Sequence, residues 1–144
     1  MQFTDQMNRT IRLESAPKRI ISLVPSQTEL LFDLGLEKEV VGITKFCVHP
    51  ENWFKSKTRV SGTKKVNFEK IRELNPDLII ANKEENTESE IKQLMKEYPV
   101  WISDIQNLED ALEMIFLIGK MTNTNAKAKS IIHIIQEGFD LLSP

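Results

Sequence analysis

The chain holds one cysteine, two histidines and five glycines in 144 residues. A single cysteine excludes an intrachain disulfide and every paired-cysteine metal motif. No run approaches the ~20 apolar residues needed to cross a bilayer. Residues 1–13 are mostly polar, with Asp5, Arg9 and Arg12 among them, and no apolar export core can be drawn in them, so the expectation from these residues alone is a chain without a secretory leader. An excess of one charge sign is also missing. Nineteen Lys and Arg stand against 21 Asp and Glu, for a net charge of −2. That balance offers nothing to nucleic acid or to an anionic membrane. Glycine is too sparse for a phosphate-cradling loop after the first strand, and no G-x-S-x-G elbow occurs.

What remains is an ordinary globular composition, 40% apolar and 28% charged. A chain of this length makes one domain and buries ~70% of its unfolded surface, enough for a core without staples. The densest basic stretch is Lys55, Lys57, Arg59, Lys64 and Lys65. It reads either as a solvated loop or as a rim that attracts an anionic ligand or partner.

Residues 3–13 alternate around Asp5–Asn8 and predict a short hairpin. Residues 19–24 form an apolar run suited to a strand buried on both faces, stopped by Pro25. Ser26 and Glu29 predict a capping box for a helix carrying Leu30, Leu31 and Leu34, with Gly35 as its left-handed terminator. A second strand is expected over residues 40–44, then a long irregular segment over 45–66. Asn67 caps a helix with Phe68, Ile71 and Leu74, ended by Asn75-Pro76. A third strand covers 78–81, and Thr87 with Glu90 predicts a second capping box before Ile91, Leu94 and Met95. A fourth strand follows Pro99, and Asn107 caps a helix with Leu108, Ala111, Leu112, Ile115 and Ile118. Strands alternating with helices predict an α/β fold, a Rossmann-like parallel sheet flanked by helices. Residues 125–144 differ: a helix with Ala128, Ile131, Ile132, Ile134, Ile135, Phe139 and Leu142 has a wide apolar stripe.

In such a sheet, ligands sit beyond the carboxyl ends of the strands. The segments expected there are residues 24–26, 45–53, 82–86 and 103–106. They hold no catalytic signature, so the reading is a binding module rather than an enzyme. An enzyme survives only as a site hidden in 45–66. A phosphoacceptor domain needs an acidic cluster at the carboxyl edge; Asp77 lies at the start of its strand, and Asp104 has no acidic neighbours. Cys47 and His49 form a C-x-H pair and are the weak metal candidates, but two ligands do not complete a site. Their alternative is a packed thiol and a loop-ordering imidazole. Phe46, two residues beyond the second strand, is the aromatic placed to face a ligand, whereas Trp53 and Phe54 plug the loop from beneath. The polar run Asn82-Lys-Glu-Glu-Asn86 is either a solvated lead into a helix or a source of hydrogen bonds to a ligand.

Several stretches, taken in order, resemble one family. They are Arg19-Ile-Ile-Ser-Leu-Val-Pro-Ser-Gln-Thr-Glu29 with Leu34-Gly35, Val41-Gly-Ile-Thr44, Arg59-Val-Ser-Gly-Thr-Lys64, Leu74-Asn-Pro-Asp-Leu-Ile-Ile80 and Asn82-Lys-Glu-Glu-Asn86. The chain is similar to the N-terminal lobe of periplasmic cobalamin- and iron-siderophore-binding proteins, the helical-backbone metal receptors, and most to the cobalamin type. The resemblance implies the substrate-binding component of an ABC importer. In it two α/β lobes joined by a long helix close on a cobalamin or iron chelate, with no cofactor and no catalytic residue. It divides the chain into an N-terminal extension (1–18), the binding lobe (19–124) and the start of the connecting helix (125–144), with the second lobe absent. Carried over by position, Pro25, Ser26, Gln27, Phe46, Gly62, Thr63 and Asn82 would line the cleft. The cobalamin receptors carry tryptophan where this chain has Asn82. Glu88 matches the acidic residue that docks on the permease. The resemblance places the protein in the periplasm, and the uncovered stripe of the last helix implies self-association. A second reading keeps the fold as an interaction or regulatory module without transport.

Overall fold

A computed structural model describes residues 1–61 and 65–142. The chain opens with the expected antiparallel hairpin, β1 (Gln2–Thr4) and β2 (Thr10–Arg12). Asn8 takes the positive φ of 60° that its turn requires, which asparagine tolerates. Asp5 organises the turn: its buried carboxylate accepts from the Met7 and Arg9 amides, both at 2.9 Å, and from the Arg9 guanidinium at 3.0 Å.

Next come β3 (Ile20–Ser22), α1 (Pro25–Asp33), β4 (Val40–Thr44), α2 (Glu51–Ser56) and β5 (Thr58–Ser61). They are followed by α3 (Phe68–Leu74), β6 (Leu78–Asn82), α4 (Glu88–Met95), β7 (Val100–Ser103), α5 (Leu108–Met121) and α6 (Asn125–Leu142). Strands β3 to β7 form one parallel sheet in the order β5-β4-β3-β6-β7. The parallel α/β layer is the one the alternation predicts.

Because successive strand residues point to opposite faces, both faces are covered. Ile20, Ile43, Leu78, Ile80 and Trp101 pack under α1 and α5, joined by Phe3 and Ile11 of the hairpin. Ile21, Ile79, Ala81, Val100 and Ile102 pack under Ile71 of α3 and Ile91 and Leu94 of α4. The first face also takes Ala128, the residue of α6 that is buried, with Ile131, Ile132 and Ile135 half-buried against it. Ile134, Leu141 and Leu142 stay exposed.

Three local expectations need correction. The segment 45–66 is not irregular: it contains α2 and an edge strand, β5, paired parallel to β4. Its lysine-rich composition hides a strand that is exposed on one side and anchored by the buried Val60. The helix α1 starts at Pro25 rather than after Ser26. Proline suits the first helical position because it lacks only an amide that has no partner there, and Val24 in extended conformation stands as the cap, so no capping box forms. Thr87 does occupy the cap of α4, but its side chain makes no cap bond, and the Glu90 carboxylate accepts the Val66 amide at 2.7 Å instead. Asn67 and Asn107 cap as expected, accepting from the Lys70 and Asp110 amides. Gly35 has φ 81° beyond α1, and Asn75 has φ 47° at the end of α3.

Candidate functional site at the carboxyl edge

The chain leaves β3 to build β4 and β5 on one side, then crosses back to build β6 and β7 on the other. The loops that follow β3 and β6 therefore diverge, and a crevice opens beyond their carboxyl ends. A hollow of about 440 Å3 lies at this edge, lined among others by Leu23, Pro25, Thr44, Phe46, Asn86 and Thr87. A hollow of about 540 Å3 lies at the opposite edge, between Pro17, Lys18, Gly35, Glu39, Asn125 and Lys127. It is larger, but it sits where the strands begin and no strand-end loop opens into it. The carboxyl-edge hollow is the candidate site, because convergent loop groups and not size decide where such sheets bind.

Hydrogen bonds within the chain shape the rim. The Asn82 amide donates to Asn86 Oδ1 at 2.8 Å, while Asn82 Oδ1 accepts from the Glu84 and Glu85 amides at 2.8 and 3.0 Å. Asn82 Nδ2 donates to Ser103 Oγ at 2.9 Å, and Asn86 Nδ2 donates to the Leu23 carbonyl at 3.1 Å. The two asparagines thus lock the loop after β6 to the ends of β3 and β7. Their polarity, open in the sequence between solvent and ligand, is spent on the loop itself.

Phe46 is held from behind. Its amide donates to Thr44 Oγ1 at 3.2 Å, and Thr44 Oγ1 lies 3.2 Å from Cys47 Sγ. That sulfur is buried and also lies 3.1 Å from Thr28 Oγ1, which reaches Ser22 Oγ at 2.8 Å. With its backbone fixed in this way, the Phe46 ring stands 51% exposed at the hollow. Thr44 and Thr28, the buttress of this aromatic, escaped notice in the sequence because threonines in a strand and a helix carry no motif.

Of the other expected site residues, Pro25 lines the hollow and Ser26 is exposed on the first turn of α1. Gln27 is fully buried, its amide nitrogen bonded to Ser103 Oγ and 3.2 Å from Met114 Sδ; it faces the core, not the hollow. Asn82 is half-buried and committed as described. Gly62 and Thr63 lie outside the described residues. Glu88, the first residue of α4, is exposed and pairs with Lys92 at 3.1 Å. The C-x-H pair is split: Cys47 is buried and His49 is exposed. Among the described residues no three His, Cys, Asp or Glu side chains gather as a metal-holding group. No helix of the described chain is long and apolar enough to cross a membrane.

A family model described as periplasmic binding protein matches residues 20–143. An uncharacterized ABC transporter substrate-binding lipoprotein of Bacillus subtilis is 32% identical over 132 residues, covering 89% of this chain and 41% of that protein. A vitamin B12-binding protein of Vibrio vulnificus is 34% identical over 103 residues, covering 70% of this chain and 37% of its own length. The crystal structure of a periplasmic vitamin B12 binding protein of Vibrio cholerae superposes with a TM-score of 0.79 at 25% identity, covering 87% of this chain and 49% of the other. The chain therefore spans about two fifths of the length of these curated relatives, and the similar proteins are binding proteins.

Proposed function

The chain belongs to the periplasmic binding protein family, and from that premise we propose that it forms the N-terminal lobe of an ABC importer's substrate-binding component. Its ligand in this reading is cobalamin or an iron or other metal chelate, captured without covalent change. The observation that supports it most is the hollow at the carboxyl edge, where strand order reverses and a fixed aromatic is left exposed. An exposed ring beside an open hollow suits the flat apolar face of a large ligand.

The residues divide by role. Pro25, Ser26 and Phe46 contact the ligand. Gln27 and Asn82 act as positioning residues, since both reach Ser103 Oγ and so hold α1 and the loop after β6 to one point. Glu88 docks on a basic residue of the permease. An exposed i,i+4 ion pair such as Glu88–Lys92 contributes little, so exchanging Lys92 for a permease cation costs little. Residues 125–144 begin the helix that leads to a second lobe, residues 1–18 are an extension packed on the binding lobe, and the protein works in the periplasm, with no chemistry of its own. Where α6 lacks the second lobe, its exposed Ile134, Leu141 and Leu142 drive self-association.

The test is an NMR titration of the 15N-labelled 144-residue chain with cyanocobalamin, haemin and a ferric siderophore. One of them shifts the amides around Phe46 and Ser26 with weak, millimolar-range affinity, because half a cleft buries half a ligand. Phe46→Ala removes the response and leaves the fold intact. Shifts confined to the amino edge, or none with any chelate, refute the reading. Submillimolar binding would argue against a missing opposite face.

A further inference from the structure

The basic stretch that stood out in the sequence is divided by the fold. Lys55 pairs with Glu51 at 2.9 Å on α2, and Lys57 turns to the Glu37 carbonyl and the Trp53 ring. Arg59 goes elsewhere. Its guanidinium lies 4.9 Å from the centre of the Phe54 ring, at a second hollow of about 280 Å3 on the carboxyl edge. Lys45, from the end of β4, and Lys70, from α3, line the same hollow, with Ser61 and Asn67 beside them. Among the described residues no carboxylate lines it, and none of the three cations forms an ion pair within 4.0 Å. Elsewhere on the surface Glu51 and Glu88 are each matched to a lysine one helical turn away. Ser61 lines this hollow and the larger one that carries Phe46, so the two are neighbours.

Three cations that line one hollow, none of them in an ion pair among the described residues, repel one another, and an anion seated between them relieves that repulsion. The stack on Phe54 holds Arg59 in place for two-pronged recognition of oxygen anions. We propose that this rim takes the charged oxygens of an anionic, polycarboxylate-type ligand, with Lys45, Arg59 and Lys70 as the binding residues. The inference rests on the reading above that the carboxyl edge is a ligand face, and it narrows the ligand to one carrying negative oxygen groups.

The same labelled chain is titrated with citrate and with ferric citrate at constant ionic strength, and separately with cyanocobalamin, which has no net charge. Citrate is expected to give saturable shifts at the amides of Lys45, Ser61, Asn67 and Lys70. Lys45→Gln and Lys70→Gln each weaken binding about tenfold, the order expected for losing one charge-assisted hydrogen bond, whereas Arg59→Lys keeps the full charge, loses only the two-pronged fork, and weakens it less. All three side chains are exposed, so the variants keep their fold, which circular dichroism verifies. Absence of saturable shifts there, or equal affinity in the Lys45→Gln/Lys70→Gln chain, overturns the proposal. So does a citrate response that sodium chloride abolishes identically in both proteins. A response to cyanocobalamin at Phe46 with none to citrate overturns this inference and leaves the proposed function standing. A citrate response with no chelate bound does the reverse.

Discussion

The contact between α5 and α6 depends on one missing methyl group. Gly119 is buried in α5, and a Cβ built there would meet the Ala128 Cβ of α6 at under 3.0 Å, closer than real Cβ atoms approach. Ala128 is itself the buried residue of α6, so this one approach sets how the last helix leaves the lobe. Gly119→Ala adds the clash, an overpacking cost of ~1–3 kcal/mol, and regains ~1 kcal/mol of helix propensity, for a net loss of ~1 kcal/mol. Ala128→Gly loses a buried methyl worth ~0.8 kcal/mol and costs ~1 kcal/mol in propensity, for ~2 kcal/mol in all. The double variant exchanges the two residues, so the clash disappears and the propensity terms cancel. It should fall ~2 kcal/mol short of the sum of the singles, a coupling of the size seen for residues in direct contact. Urea unfolding followed by tryptophan fluorescence measures all four proteins, and in heat each kcal/mol moves the midpoint by ~2–4 °C for a chain this long. Additive energies, or a Gly119→Ala chain more stable than its parent, would refute the argument that a close helix approach needs glycine here.

Other expectations follow from the same geometry. Asp5→Ala leaves the Met7, Arg9 and Ile102 amides without this acceptor and the Arg9 guanidinium with the Val100 carbonyl alone, and should cost ~3 kcal/mol; a loss below ~1 kcal/mol would mean the hairpin is not tied to β7 through this carboxylate. Cys47, buried between two threonine hydroxyls, should react with a thiol reagent only at the rate of unfolding, and fast labelling of the native chain would contradict its placement. Burial lowers the Lys57 pKa from 10.5 more than Glu37 and Glu39 raise it, so the unfolded chain holds this proton at higher pH than the folded one. Lys57 therefore adds stability as pH climbs from its folded pKa towards 10.5, and Lys57→Met removes that rise; a stability difference between the two proteins that stays flat with pH in that window would be inconsistent. Sedimentation should find the chain self-associated, and Ile134→Glu with Leu141→Glu should return it to monomer, whereas a monomeric parent would show that the exposed stripe is tolerated.

Much of the scaffold could be read directly from residue patterns. Apolar runs at residues 19–24, 40–44 and 78–81, punctuated by Pro25, Gly35 and Asn75-Pro76, are enough to specify a parallel α/β layer, because period and punctuation act through neighbours in the chain. Caps at Asn67 and Asn107 were legible for the same reason. The edge strand β5 was not: its outward residues are charged, and pairing with β4 holds it in place. The capping boxes expected at Ser26 and Thr87 do not form, because Pro25 starts the helix one residue earlier and Glu90 finds the Val66 amide across the edge. The site divides in the same way. Phe46 and Pro25 were visible as residues just past strand ends, which a parallel sheet necessarily brings to one edge. Gln27 looked equivalent to them in sequence, yet α1 turns it inward to Ser103, and only the packing of a helix on its sheet decides which of three adjacent residues faces the hollow. The split of the lysines had the same origin. Composition determined that the chain would carry a basic stretch, and the fold decided that Arg59 would line one hollow with Lys45 and Lys70, drawn from two other elements, because a sheet edge joins residues that are distant along the chain.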